Sequence, residues 1–132
     1  MEIVIFYMSF KLIVILNEKN CIIGELIEKK SELPDCPIAT TVDLIGSKWK
    51  LLIIRNLMKK NWRFNELQRS LDGISQKVLT DSLRQLCEDG IIFRKDYRTK
   101  PPKVEYGMTD LGKELLQVLK AMEKFGEYYK SL

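Results

Sequence analysis

The 132-residue chain is long enough for one domain with a single modest core. Its 45% hydrophobic and 30% charged residues are ordinary for a folded globular protein, which argues against disorder. Residues 1–35 hold four lysines and six acidic residues, a charge of −2, whereas the other 97 residues hold 18 basic and 12 acidic residues, a charge of +6. We therefore expect any polyanionic partner to bind after residue 35.

The sequence contains no histidine, which excludes histidine-dependent nucleophiles and imidazole metal ligands. Cys21, Cys36 and Cys87 are too far apart for a C-x-x-C site. With no glycine-rich phosphate loop and no carboxylates paired by spacing alone, we predict no catalytic site, no cofactor and no metal site. An odd, widely spaced set of cysteines is typical of a reducing compartment, so we expect a cytoplasmic protein.

Residues 1–34 are predicted to be an apolar extension of uncertain structure. Ile3–Leu16 is interrupted by Lys11 and is shorter than the roughly 20 residues of a spanning helix. It starts with Glu2 instead of a basic segment, so we expect a strand or a buried dimer element and no membrane contact. Farther along, residues 12–23 fit a short hairpin and residues 22–31 fit an amphipathic helix, and periodicity leaves both open.

Residues 35–132 show clearer helical signals. Pro37 is placed to begin a first helix that ends at Gly46. Lys48–Met58 is predicted to be the second helix. Its buried stripe is expected to consist of Trp49, Leu52, Ile53 and Leu57.

A helix-turn-helix pattern follows. Arg63-Phe64 is predicted to be a short strand, and Asn65 to begin a third helix with Gln68 in the capping-box position. The segment Leu71–Gly73 forms a turn, and Ser75 caps a fourth helix that runs to Asp89.

Two strands and a long helix complete the chain. Ile91–Tyr97 and Lys103–Met108 are predicted strands around a tight loop, Arg98–Pro102. Thr109 caps a last helix that continues to about Lys130. The order of elements predicts a mainly α protein with a small β-hairpin, an α+β winged helix-turn-helix domain.

The fourth helix has one apolar stripe, Leu79, Leu83 and Leu86, that must pack inward. A recognition helix contacts bases through its N-terminal residues, where Gln suits adenine and Lys or Arg suit guanine or phosphate. The predicted double-stranded DNA contacts on this helix are Ser75, Gln76, Lys77, Thr80 and Arg84. The alternative is an ordinary solvated polar face, which the acidic Asp81 and Glu88 on the same side favour.

The hairpin is strongly basic. Only Asp96 opposes five positive charges within ten residues, and Pro101-Pro102 stiffens the tip. A stiff basic hairpin beside a helix-turn-helix is suited to phosphates or a minor groove, although such charge also serves solubility. The predicted DNA contacts here are Arg94, Lys95, Arg98, Lys100 and Lys103.

The last helix carries apolar residues at spacings of four and three from Leu111 to Tyr129, which is a heptad pattern. One face closes the core of the domain and another is available to a second copy, although both could be buried within the monomer. The predicted homodimer interface comprises Leu115, Val118, Leu119, Met122, Phe125 and Tyr129.

Several motifs together resemble the HxlR family of bacterial and archaeal transcription regulators, relatives of MarR. They are Cys36-Pro37, residues 43–49 (DLIGSKW), 63–67 (RFNEL), 73–80 (GISQKVLT), 83–86 (LRQL), 89–90 (DG), 101–106 (PPKVEY) and 109–112 (TDLG). The resemblance covers roughly residues 35–130 and implies a winged-helix homodimer on a pseudo-palindromic operator, with the fourth helix in the major groove. Residues 1–33 depart from the family pattern.

Cys36 stands just before the first helix, where unpaired N–H groups and the helix dipole favour a thiolate, although Asp35 opposes a second negative charge. A small residue at the edge of the core is the alternative. Some members of the family sense electrophiles or oxidants through a cysteine at this place, so Cys36 is a candidate redox sensor. We expect a DNA-binding regulator whose small-molecule effector is unknown; the alternative is a winged-helix module for protein contacts alone.

Overall fold

The computed structural model describes residues 33–132, so Ile3–Leu16 and the alternatives for residues 12–31 lie outside the described residues. Its elements, numbered from the first described one, are α1 (Pro37–Ile45), α2 (Lys48–Leu57), β1 (Trp62–Arg63), α3 (Phe64–Ser70), α4 (Gln76–Glu88), β2 (Ile92–Asp96), β3 (Val104–Met108), α5 (Asp110–Lys113) and α6 (Leu116–Lys130). No helix within residues 33–132 is long and apolar enough to cross a membrane. The architecture is mainly helical with a small antiparallel sheet, as predicted.

The first two helices begin where the sequence predicts. Pro37 occupies the first turn of α1, where its missing N–H costs nothing. Ser47 caps α2, because its Oγ accepts a hydrogen bond from the Lys50 N–H at 3.4 Å. The buried stripe of α2 was predicted only in part: Ile53 and Leu57 are buried, whereas Trp49 and Leu52 are half-buried. Ile54 and Asn56 are buried as well.

The prediction for the start of α3 was wrong by one residue. The short strand is Trp62–Arg63 and the helix begins at Phe64, because the capping carboxylate is Glu66 and not the Gln68 side chain. Glu66 Oε2 accepts a hydrogen bond from the Arg63 N–H at 3.4 Å. An acidic group in the first turn is also favoured by the helix dipole.

A buried asparagine connects α2 to the elements that follow it. The Asn56 Nδ2 donates to Ser70 Oγ at 2.8 Å, and Ser70 Oγ donates to the Leu67 carbonyl at 2.7 Å. The Trp62 Nε1–H donates to the Asn56 carbonyl at 2.9 Å. Because these bonds reach both β1 and α3, they fix the position of the first helix of the helix-turn-helix unit relative to α2.

The helix-turn-helix unit is completed by α4. Ser75 Oγ accepts a hydrogen bond from the Val78 N–H at 3.1 Å, which is the predicted cap. In the turn before it, Gly73 has φ +85°, a conformation that a side chain would strain. Leu79, Leu83 and Leu86 are all buried in the core, as their spacing predicts.

The three strands form one antiparallel sheet in the order β1-β3-β2. The register pairs Ile92 with Met108 and Asp96 with Val104, and β2 and β3 are each slightly shorter than predicted. The pairing continues past the strand ends, because the Tyr97 N–H donates to the Lys103 carbonyl at 2.9 Å. This register decides which hairpin side chains share a face.

The prediction of one continuous last helix was wrong. Thr109 Oγ1 accepts from the Gly112 N–H at 3.0 Å, which is the predicted cap, but α5 ends at Lys113. Bonds between residues three apart, such as Leu115 N–H to the Gly112 carbonyl at 3.0 Å, form a tighter turn before α6 begins. Gly112 lies so close to the Ile91 carbonyl that a Cβ would clash with it, which anchors α5 to the segment before β2.

Candidate nucleic-acid interface

The outer face of α4 carries the side chains that the sequence assigned to base contacts. Gln76, Lys77, Thr80 and Arg84 are all exposed, on the side opposite the buried leucines. The Thr80 hydroxyl donates to the Gln76 carbonyl at 2.8 Å, and the Ser75 oxygen is occupied as the helix cap. The long side chains of this face are therefore its most adaptable hydrogen-bonding groups.

Arg84 has an acidic partner one turn along the helix. Its Nη1 lies 3.0 Å from Glu88 Oε1, and the two side chains are 58% and 41% exposed. An exposed pair of this kind stabilises a helix by only about 0.3–0.5 kcal/mol, so a phosphate or a guanine edge can replace Glu88 at small cost. Glu88 thus holds the guanidinium of Arg84 on the outer face of α4.

The register divides the five basic residues of the hairpin between two faces and the tip. Arg94 is paired with Tyr106 on the face that includes the buried Ile92 and Met108. It is half-buried, and its guanidinium offsets part of the rise that burial causes in the pKa of the Tyr106 phenol. Among the predicted wing contacts, Arg94 therefore lies on the face turned toward the core.

Lys95 and Lys103 lie on the opposite, outer face of the hairpin, while Arg98 and Lys100 are exposed at its tip. Arg98 adopts φ +50°, and its N–H donates to Asp96 Oδ1 at 2.8 Å. Asp96, the one acidic residue of this segment, thus shapes the turn that presents the Arg98 side chain.

Two further residues of the outer face were not singled out from the sequence. Tyr97 donates a hydrogen bond from its hydroxyl to Glu105 Oε2 at 2.9 Å. This bond lowers the pKa of Glu105, with help from the charges of Lys103 and Arg63, and it raises the pKa of Tyr97. The signal that could have identified them is the pairing of Tyr97 with Lys103 across the loop, which depends on the register.

The predicted dimer residues fall into two groups on α6 and the turn before it. Leu115, Val118 and Leu119 are half-buried against the core of the domain. Met122, Phe125 and Tyr129 are 48%, 67% and 68% exposed. Of the six predicted interface residues, the first three therefore pack against the domain itself, and the last three form an open apolar surface.

The open surface of α6 continues onto α1. An apolar groove of about 450 Å³ lies between the two helices and is lined by Ile38 and Val42 of α1 and by Val118 and Met122 of α6. Ile38 is 75% exposed, which is unusual for an isoleucine in a folded domain. Cys36, the candidate sensor, is exposed at the N-cap of α1, directly before Pro37 of the same groove.

Comparison with known proteins identifies the family. The profile of the HxlR-like helix-turn-helix family matches residues 44–132. The chain belongs to this family. It is a transcriptional regulator of the helix-turn-helix type with a winged-helix fold.

Relatives with names and structures agree with this assignment. The HTH-type transcriptional regulator YdeP of Bacillus subtilis is 44% identical over 95 residues, which are 72% of this chain and 74% of YdeP. The redox regulator HypR in its oxidised form is 41% identical, with a TM-score of 0.67 over 70% of this chain and 96% of HypR. Diamide-treated YodB of B. subtilis is 33% identical, with a TM-score of 0.62 over 71% of this chain and 94% of YodB.

Proposed function

We propose that this regulator binds double-stranded DNA sequence-specifically as a homodimer, with α4 in the major groove of each half of a pseudo-palindromic operator. The observation that carries the proposal is the two-sided character of α4. Its leucines are buried, while Gln76, Lys77 and Arg84 are exposed together on the opposite side. Amide and guanidinium groups are the ones that bind adenine and guanine edges in pairs of hydrogen bonds. The proposal includes no enzymatic activity.

The wing supplies contacts that do not depend on sequence. Arg98 and Lys100 are exposed at the tip, and Lys95 and Lys103 lie on the outer face. Ammonium and guanidinium groups on such a hairpin neutralise phosphates and release counterions, which makes the affinity dependent on salt. The two elements therefore contribute separable parts of the binding free energy.

Substitutions on the two elements should weaken binding in different ways. Arg84→Ala should weaken binding to an operator selected from a random DNA pool by about 1–3 kcal/mol, because one side chain loses its base contact. Arg98→Ala or Lys100→Ala should weaken binding to all duplexes and reduce the slope of log affinity against log salt by about one unit each. Titrations of each variant at several salt concentrations measure both effects.

Lys124→Ala, an exposed lysine of α6, is the matched control and should leave operator affinity unchanged. An Arg84→Ala protein that binds the operator as tightly as wild type would contradict the role of α4. A wild type that binds no duplex at low salt would favour the alternative of a module for protein contacts alone.

Dimerisation is supported by the apolar surface at the end of α6. Phe125 and Tyr129 are both about two-thirds exposed, and their rings lie 6.3 Å apart between centroids. Large exposed aromatic patches of this kind mark protein interfaces. Two-fold symmetry of the dimer would place the half-sites about 10 bp apart or at a multiple of that distance.

A charge in this surface should separate the two copies. Phe125→Glu should produce monomers, because a carboxylate would lose its hydration against the apolar partner surface. Sedimentation velocity at micromolar concentration measures the result. Lys124→Glu introduces the same group at the adjacent, more polar position and should remain dimeric. Finding wild type to be monomeric would remove the homodimer from the proposal.

We further infer that Cys36 makes binding responsive to oxidants or electrophiles. Its thiol is exposed at the start of α1, beside the groove that continues onto the proposed dimer surface. The similar proteins HypR and YodB have structures in an oxidised and a diamide-treated form, respectively. Oxidation would join Cys36 to a cysteine of the other subunit by a disulfide, with two electrons and two protons passing to the oxidant, and would change the relation of the two α4 helices.

The response to diamide should depend on this thiol. Wild type should change its DNA affinity severalfold after treatment, and Cys36→Ser should not change. Cys87→Ser, at a half-buried position, tests the partner thiol: it should respond like wild type unless Cys87 of the other subunit is the cysteine that Cys36 joins. An equal response of wild type and Cys36→Ser, or no response in either, would rule out this sensor.

A further inference from the structure

Four side chains form one cluster on the outer face of the hairpin. The register pairs Lys95 with Glu105, and the next pair along the ladder is Tyr97 with Lys103. Side chains alternate between the two faces of a strand, so all four lie on the same side. Tyr97 is half-buried although the surrounding loop residues are exposed.

The tyrosine is the centre of this cluster. The Nζ atoms of Lys95 and Lys103 lie 4.6 and 4.4 Å from the centroid of the Tyr97 ring. The Tyr97 hydroxyl is held by Glu105 Oε2 at 2.9 Å, and Glu105 Oε1 lies 3.4 Å from Lys103 Nζ. The ring therefore has a fixed orientation and two ammonium groups placed against it.

Such an arrangement lowers the conformational-entropy cost of ordering a lysine at an interface. A lysine side chain loses rotamer freedom when it binds a phosphate, and two neighbouring ammonium groups repel each other. Here the electron-rich ring attracts both groups, and the Glu105 carboxylate offsets their repulsion. The two lysines are thus partly ordered before any ligand is bound.

The carboxylate itself points to a positioning role. Glu105 is ionised at neutral pH and lies on a face that is otherwise basic, with Arg63 and Lys95 opposite it on the neighbouring strands. Close to DNA phosphates, a negative charge at this place is unfavourable by itself. Holding the ring and the two ammonium groups compensates for that repulsion.

We propose that Tyr97 is a positioning residue for DNA binding: fixed by Glu105, its ring holds Lys95 and Lys103 in the arrangement that contacts the phosphate backbone. This inference rests on the proposed function. It assigns a role in DNA affinity to Tyr97, whose side chain carries no charge that would indicate such a role.

The experiment is a double-mutant cycle between the ring and the two lysines. Tyr97→Leu removes the ring without changing the charge of the wing. We expect it to weaken duplex binding by about two- to ten-fold for each wing, because the lysines still reach the phosphates but must first lose their rotamer freedom. The slope of log affinity against log salt should be unchanged, because the number of phosphate contacts is the same. In the Lys95→Ala/Lys103→Ala background, the same substitution should change the affinity less than two-fold.

Tyr97→Phe keeps the ring and loses only the bond to Glu105, so it should give a smaller loss than Tyr97→Leu. It also provides the measurement if Tyr97→Leu does not fold. Tyr128→Leu, an exposed tyrosine of α6, controls for the loss of a surface ring and should bind as wild type does.

Three outcomes overturn the inference, and they are distinguishable. An unchanged affinity of both Tyr97 variants contradicts the role of the ring while leaving the proposed function intact. An equal loss with and without the lysines shows that Tyr97 does not act through them. A wild type that binds no duplex contradicts the proposed function, and the inference with it.

Discussion

The burial of three leucines on α4 is the constraint from which the functional surface follows. Leu79, Leu83 and Leu86 are buried in the core, and full burial of one leucine stabilises a fold by about 1.5–3 kcal/mol. Turning α4 about its axis would expose all three, a cost comparable to the whole stability of a small domain. The helix therefore has one orientation, and its polar residues are directed outward whatever their function.

The remaining elements hold α4 in place and complete the surface. The Asn56 hydrogen bonds join α2 to α3 and to β1. They fix the end of α3, from which the turn leads to α4. On the other side, Ile92 of β2 packs into the same core as the leucines of α4. Because β2 is also a strand of the wing, the orientation of α4 and that of the hairpin are set by one apolar core.

Local signals were sufficient to predict most of this architecture. Ser75 and Thr109 cap helices as predicted, since each cap depends on residues only three positions away. The break between α5 and α6 was missed; it follows Gly112, which lies against the Ile91 carbonyl, a group far away in sequence. Periodicity within a helix contains no information about such a contact.

The candidate site was predictable in its composition and less so in its geometry. The basic residues of the wing are evident from the sequence, but the inward position of Arg94 and the cluster around Tyr97 depend on the strand register. The inward position of Arg94 could have been predicted, because alternate residues of a strand share a face and Arg94 is two residues after the buried Ile92. The cluster around Tyr97 could not be predicted without the loop length, because that length decides that Tyr97 lies opposite Lys103.

In the proposed complex, two copies of α4 read one DNA site through their outer faces. Hydroxyl-radical and base-methylation footprinting of wild type on a selected operator tests it most directly. We expect two protected half-sites related by two-fold symmetry, about 10 bp apart or at a multiple of that distance, with guanine N7 atoms protected in the major groove. A single asymmetric footprint, or protection confined to the minor groove, would contradict it.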